Sequence, residues 1–141
     1  MMTEENRKKP TVVCSVFIER DGKYLFVHDP RFRVWRVPGG RVEYGEIVEE
    51  TVKREMREEL GITITNPSFL GFGQDMQYKH SKGRETCRLL LLFRATTDEE
   101  LTLDPHEATE HKWVSITEMK NEQEKEGALT DFFKRNPDLQ W

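Results

Sequence analysis

Residues 40–62 read Gly40-Arg41-Val42-Glu43-Tyr44-Gly45-Glu46-Ile47-Val48-Glu49-Glu50-Thr51-Val52-Lys53-Arg54-Glu55-Met56-Arg57-Glu58-Glu59-Leu60-Gly61-Ile62. From Glu46 to Leu60 there is no Gly or Pro and helix formers dominate, which predicts a helix over that span. Val48, Val52, Met56 and Leu60 recur every four residues and make a buried stripe. Gly61 stands where a left-handed helix cap is expected. At about 100° per residue, Glu55, Glu58 and Glu59 fall within an arc of roughly 100° beside that stripe. Three carboxylates at such spacing repel one another, and a hard cation such as Mg²⁺ or Mn²⁺ relieves the repulsion through oxygen ligands. The bland alternative is a solvated helix face, with Arg54 and Glu58 as an ordinary i,i+4 ion pair.

Outward from this helix, the chain alternates apolar runs with turn signals. Thr11–Glu19 and Tyr24–His28 read as strands, joined by a tight turn at Asp21-Gly22. Trp35–Val37 reads as a short strand, and Pro38-Gly39-Gly40 as a strong breaker. Ile62–Phe72 and Gln74–Tyr78 read as extended, and His80–Glu85 as a polar loop. Leu89–Phe93 is a continuous apolar run suited to a strand covered on both faces. Asp98–Glu110 is acidic and loop-like, and Lys112-Trp113-Val114 is a short strand. Ile116–Lys120 and Leu129–Arg135 suggest helices, separated by a solvated run at Asn121–Glu126. Strands before, between and after helices predict an α/β fold with a mixed sheet.

The chain has 141 residues, enough for one ordinary domain. Residues 1–10 read as a flexible leader and 11–141 as a single domain. A net charge of −4 disfavours general nucleic-acid or anionic-membrane binding but not a phosphorylated small molecule, since a bound cation reverses the local sign. Cys14 and Cys87 lie far apart with no metal-ligand spacing, which suits buried thiols in a reducing cytoplasm better than a redox or metal role. Neither a signal core nor a membrane-length apolar stretch is present, so a cytoplasmic location is expected.

Gly40, Glu46, Arg54, Glu55, Met56, Glu58, Glu59, Gly61 and Ile62 together match the Nudix box, G-x5-E-x7-R-E-U-x-E-E-x-G-U, where U is a bulky aliphatic residue. A chance match at all these positions has odds of about one in a million. The sequence therefore resembles the Nudix superfamily, and Trp35–Gly40 and Lys112–Val114 look like that family's flanking segments. The resemblance implies an α/β/α sandwich around a mixed sheet. It also implies hydrolysis of a diphosphate linkage in a nucleoside diphosphate derivative or nucleoside triphosphate by metal-assisted attack of water.

Carried over, Glu55, Glu58 and Glu59 are metal ligands and the Gly40 carbonyl an extra one. Arg54 orients a box glutamate, Glu46 and Gly61 hold the ends of the box helix, and Gly39 lets the backbone approach phosphate. Glu107 is the chosen acid from outside the box, with Glu110 its rival. Tyr78 leans toward dinucleoside polyphosphates, against a plain strand tyrosine. Phe32, Trp35 and Phe72 are base-stacking or core residues, and Arg84, with His80 and Lys82, forms a basic loop in reach of phosphate. His28, His106 and His111 show no ligand spacing. A homodimer is the default for the family, and Leu129, Phe132 and Phe133 serve either an interface or the sheet. A nucleotide-sensing module and an isomerase of the isopentenyl diphosphate type are the rival readings. The complete box disfavours the first and the short chain the second.

Overall fold

In a computed structural model, which describes residues 8–79 and 84–141, strands β1 (Thr11–Arg20) and β2 (Lys23–Asp29) form the expected hairpin. Asp21 (φ 53°) and Gly22 (φ 78°) occupy its turn, as a right-twisted two-residue hairpin requires. The two strands pair only beside the turn, at Glu19–Tyr24 and Arg20–Lys23, and then diverge. The freed edge of β1 takes β4 (Gly39–Arg41), pairing Ser15 with Gly39 and Cys14 with Gly40. β2 takes β3 (Val34–Arg36) and β7 (Glu110–Val114).

On the other side of β1 lies β6 (Arg84–Thr96), in parallel, and beyond it β5 (Ser68–Lys79), antiparallel. The seven strands make one mixed sheet.

The period-two alternation of β1 feeds two cores. Cys14, Val16 and Ile18 point to one face, where they meet Val52, Met56 and Leu60 of α1 (Val48–Leu60) and Ile62 and Ile64 just beyond it. Val13 and Phe17 point to the other, against α2 (Ile116–Asn121) and α3 (Gly127–Arg135) through Met119, Ala128, Leu129 and Phe132. Leu90 and Leu92 join this second core while Phe93 and Ala95 join the first, so β6 is covered on both faces as its apolar run predicts. The chain is an α/β/α sandwich.

α1 ends at Gly61 (φ 69°), with the Gly61 N–H donating to the Arg57 carbonyl and that of Ile62 to Met56. α2 begins with a capping box between Ser115 and Glu118. Among the described residues no helix is long and apolar enough to cross a membrane.

The structure corrects several expectations. Helix α1 starts at Val48 rather than Glu46, because Glu46 turns back to serve the preceding loop. Gly39 and Gly40 form a strand instead of a break, since the open edge of β1 supplies backbone partners. Ile62–Pro67 is not a strand, and β5 runs through Gly73 as one piece with an irregularity between Phe69 and Gly71. Gly73 is where α3 sits closest, as a Cβ there would overlap the Ala128 carbonyl. Glu126 is not solvated: it is 2% exposed. Leu129 and Phe132 cover the sheet. Of the expected leader, residues 1–7 lie outside the described residues, and Lys8–Pro10 are exposed.

Candidate active site

A cavity of about 450 Å³ opens between β4 with the following residues to Glu43, α1 and the α3 side of the sheet. Gly39, Gly40, Arg54, Glu55, Glu58 and Glu107 line it, together with Arg31, Arg36 and Glu126. The box carboxylates are therefore not equivalent. Glu55 and Glu58 face the cavity, the second largely exposed. Glu59 is 2% exposed and has both oxygens engaged: Oε1 accepts from Arg36 Nη2 at 2.8 Å, and Oε2 accepts from the Gly39 N–H at 3.0 Å.

Arg54 is a hub. Its Nε donates to Glu46 Oε2 (2.7 Å) and its Nη1 donates to Glu55 (2.8 Å) and Glu58 (3.1 Å), while Nη2 reaches the Arg41 carbonyl (2.9 Å). Glu46 also accepts from the Thr51 hydroxyl and the Glu43 N–H. These bonds, the one from Arg54 foremost, hold its carboxyl at about 2. The loop and the first turns of α1 are thus tied by one carboxylate.

Burial raises Glu55 above the usual carboxylate range; Arg54 opposes this, while the like charges of Glu58 and Glu107 add to it. Gly40 adjoins Glu55 so closely that a Cβ would overlap its carboxylate. A group of oxygen donors whose ionised form is penalised by burial and by neighbouring anions suits a hard divalent cation. Among the described residues, however, no three Asp, Glu, His or Cys side chains are gathered closely enough to hold a metal ion. Glu55 and Glu58 line the cavity together with Gly40 and Glu107.

Glu107 lines the cavity, 2.9 Å from Arg31, whereas Glu110 lies in β7 outside the lining. Trp35 is not brought to the cavity. Its ring packs on Phe26 and His28, and Lys112 Nζ sits 4.1 Å above it. Phe72 lies under Arg135, while Phe32 does line the cavity. Tyr78 and Arg84 sit at the paired ends of β5 and β6. Their side chains, and His80 and Lys82, lie outside the described residues.

Sequence reasoning missed Arg36, Asp29, Arg88, Gln77 and Glu126. Arg36 is 6% exposed and links Asp29 (3.2 Å), Glu59 and the Glu107 carbonyl (3.1 Å). A lone arginine inside an apolar strand was the available signal, since a buried guanidinium needs anionic partners.

The chain matches the NUDIX domain family over residues 8–134. It is 33% identical over 113 residues to the NAD-capped RNA hydrolase NudC of Stutzerimonas stutzeri (strain A1501), covering 78% of this chain and 37% of that one. It is 32% identical over 117 residues to the nucleoside triphosphatase NudI of Escherichia coli (strain K12), covering 76% and 82%. The chain spans little more than a third of the length of some curated relatives it matches. Among solved structures, a MutT protein from Methanosarcina mazei Go1 superposes with a TM-score of 0.75 at 25% identity, covering 92% of this chain and 94% of that one.

Proposed function

The chain belongs to the Nudix family of hydrolases, and on that premise we propose that it cleaves a diphosphate linkage in a nucleoside triphosphate or nucleoside diphosphate derivative. The observation that carries this reading is the meeting of Glu55 and Glu58 with Gly40, Arg31 and Glu107 around one cavity. The relative aligned over most of its length is named a nucleoside triphosphatase, which favours triphosphates among the substrates.

Each residue has a physical task. Glu55 and Glu58, with the Gly40 carbonyl and Glu107, would hold the divalent cation, Mg²⁺ or Mn²⁺. When bound there, the cation supplies positive charge against the diphosphate oxygens and activates water. Arg54 fixes the Glu55 and Glu58 carboxylates by charge-assisted hydrogen bonds. Glu59 holds the Gly39–Gly40 backbone against α1 and anchors Arg36. Arg31, at the cavity rim, offers a guanidinium to an anionic substrate. Glu46 and Gly61 fix the two ends of the helix that carries the carboxylates.

The test is release of phosphate or pyrophosphate from a panel of nucleoside triphosphates, ADP-ribose, nucleotide sugars and dinucleoside polyphosphates. It is run with Mg²⁺, with chelator, and with Glu55→Gln. We expect turnover that needs the cation and falls at least a hundredfold in the variant. Turnover that survives both the chelator and Glu55→Gln would overturn the reading.

A further inference from the structure

Two groups of carboxylates meet arginines beside α1, and the arginines are unevenly shared. Arg54 alone serves Glu46, Glu55 and Glu58, so three carboxylates against one guanidinium leave two negative charges. Arg31 and Arg36 together serve Asp29, Glu59 and Glu107, so three against two leave one. A divalent cation is drawn toward the first group more than toward the second.

Within the second group Arg36 is fixed from three directions. Its Nε donates to Asp29 at 3.2 Å, and its Nη2 donates to Glu59 Oε1 at 2.8 Å and to the Glu107 carbonyl at 3.1 Å. It ends β3, where it pairs with Val27 of β2, and packing holds its buried side chain in place. Arginine is always charged in a folded protein, so a permanent cation sits on Glu59.

Glu59 gives one oxygen to that cation and the other to the Gly39 N–H. The cavity wall at this point is made by Arg36, Gly39 and Gly40, and Glu59 is not part of it. Drawing Glu59 into the cavity would strand the Gly39 N–H and strip Arg36 of its shortest bond, and breaking a buried ion pair is strongly unfavourable. Glu55 and Glu58 face no such obstacle: both line the cavity, and their guanidinium is shared with Glu46. Mg²⁺ commonly takes one or two carboxylates and completes its shell with water and substrate phosphates, so a third box carboxylate is not required.

Resting on the hydrolase reading above, we propose that the Arg36 guanidinium stands in for a divalent cation at Glu59. The cation that the reaction uses is then held without Glu59, and the Glu58-Glu59 doublet divides its work. Glu58 serves the cavity beside Glu55, while Glu59 is a positioning residue that acts through Gly39.

The experiment is a Mn²⁺ titration of the full chain without nucleotide, with free Mn²⁺ read by its paramagnetic resonance signal. Glu55→Gln should weaken binding at least tenfold, whereas Glu59→Gln should change it less than threefold. Arg36→Met should tighten it at least fivefold, because Glu59 is then a carboxylate without its cation, and Arg36→Met/Glu59→Met should not. In the unsubstituted protein the Gly39 amide should exchange with solvent no faster at saturating Mg²⁺, since Glu59 keeps accepting its N–H. That measurement stands even where a variant fails to fold. Four results overturn the proposal: no Mn²⁺ binding by the parent, a loss in Glu59→Gln that matches Glu55→Gln, a folded Arg36→Met that binds no more tightly, or faster Gly39 exchange with Mg²⁺. Mn²⁺ bound in the expected pattern by a protein that hydrolyses none of the panel would sink the hydrolase reading alone. Cation-dependent hydrolysis with Mn²⁺ binding lost in Glu59→Gln would sink this one alone.

Discussion

The Glu59 carboxylate lies 2.8 Å from the Arg36 guanidinium, and the two side chains are 2% and 7% exposed. This pair joins the box helix to β3, and its second oxygen carries the bond on to Gly39. Removing one partner of such a pair leaves a buried charge unpaired, at a cost of about 3–5 kcal/mol. Arg36→Met should therefore lose about that much in urea denaturation, and Arg36→Met/Glu59→Met should recover part of it. A loss below about 1 kcal/mol, the size of an exposed ion pair, would show that the pair is not structural.

Gly40→Ala separates geometry from stability. The added Cβ would overlap the Glu55 carboxylate, the far end of a flexible side chain. Glu55 can swing aside, so the melting temperature should fall by only a few degrees. Its carboxylate would then leave the cavity, and hydrolysis should drop at least tenfold. Full activity in a folded Gly40→Ala protein would remove Glu55 from its proposed position.

Asp29 links folding to acid. Burial works against its charge, but the Arg31 hydrogen bonds and the Arg36 charge win and hold its carboxyl below the ordinary 3.8. A depressed carboxyl contributes stability that is present above the unfolded value and is lost as pH falls through the folded one. Asp29→Asn should be less stable than the parent at pH 7, and the gap should narrow as pH drops below about 4. A gap that stays constant from pH 7 to pH 3 would contradict the shift.

Trp35 should behave as a packing residue. Its ring is covered by Phe26, His28 and Lys112, and its backbone bonds Glu124 and Glu126. Trp35→Ala keeps those backbone bonds and loses the ring contacts, at about 2 kcal/mol for a half-buried aromatic. Its KM should stay within about twofold of the parent. A large rise in KM with unchanged stability would return Trp35 to the substrate.

What the sequence made legible was local. The stripe of α1, its Gly61 cap and the Asp21-Gly22 hairpin follow from periodicity and turn chemistry within a few residues of each position. The box placed Glu55 and Glu58 on one cavity because helix spacing alone fixes their side. Gly39 and Gly40 read as a breaker because glycine weakens strands in general. What decided otherwise was the edge of β1, which pairs Ser15 with Gly39 and Cys14 with Gly40, partners 24 and 26 positions apart. Glu126 looked solvated amid Glu122, Glu124 and Lys125, since composition cannot reveal a guanidinium supplied from β6 38 residues away. Glu59 is the same lesson inside the motif: its spacing is that of a ligand, and its environment is that of a buried ion pair.

The parallel pairing of β1 with β6 also sets the order in which this protein can be made. It joins Thr11 to Arg88 and Glu19 to Thr96, partners 77 positions apart, and the whole box lies inside the loop it closes. A loop that long carries its closure entropy before any contact offsets it, and such non-local pairing slows folding. On the ribosome α1 emerges well before β6, with its apolar stripe uncovered by the completed sheet. The cavity cannot exist until β6 docks, so synthesis delivers the two halves of the site at different times and a single late event joins them.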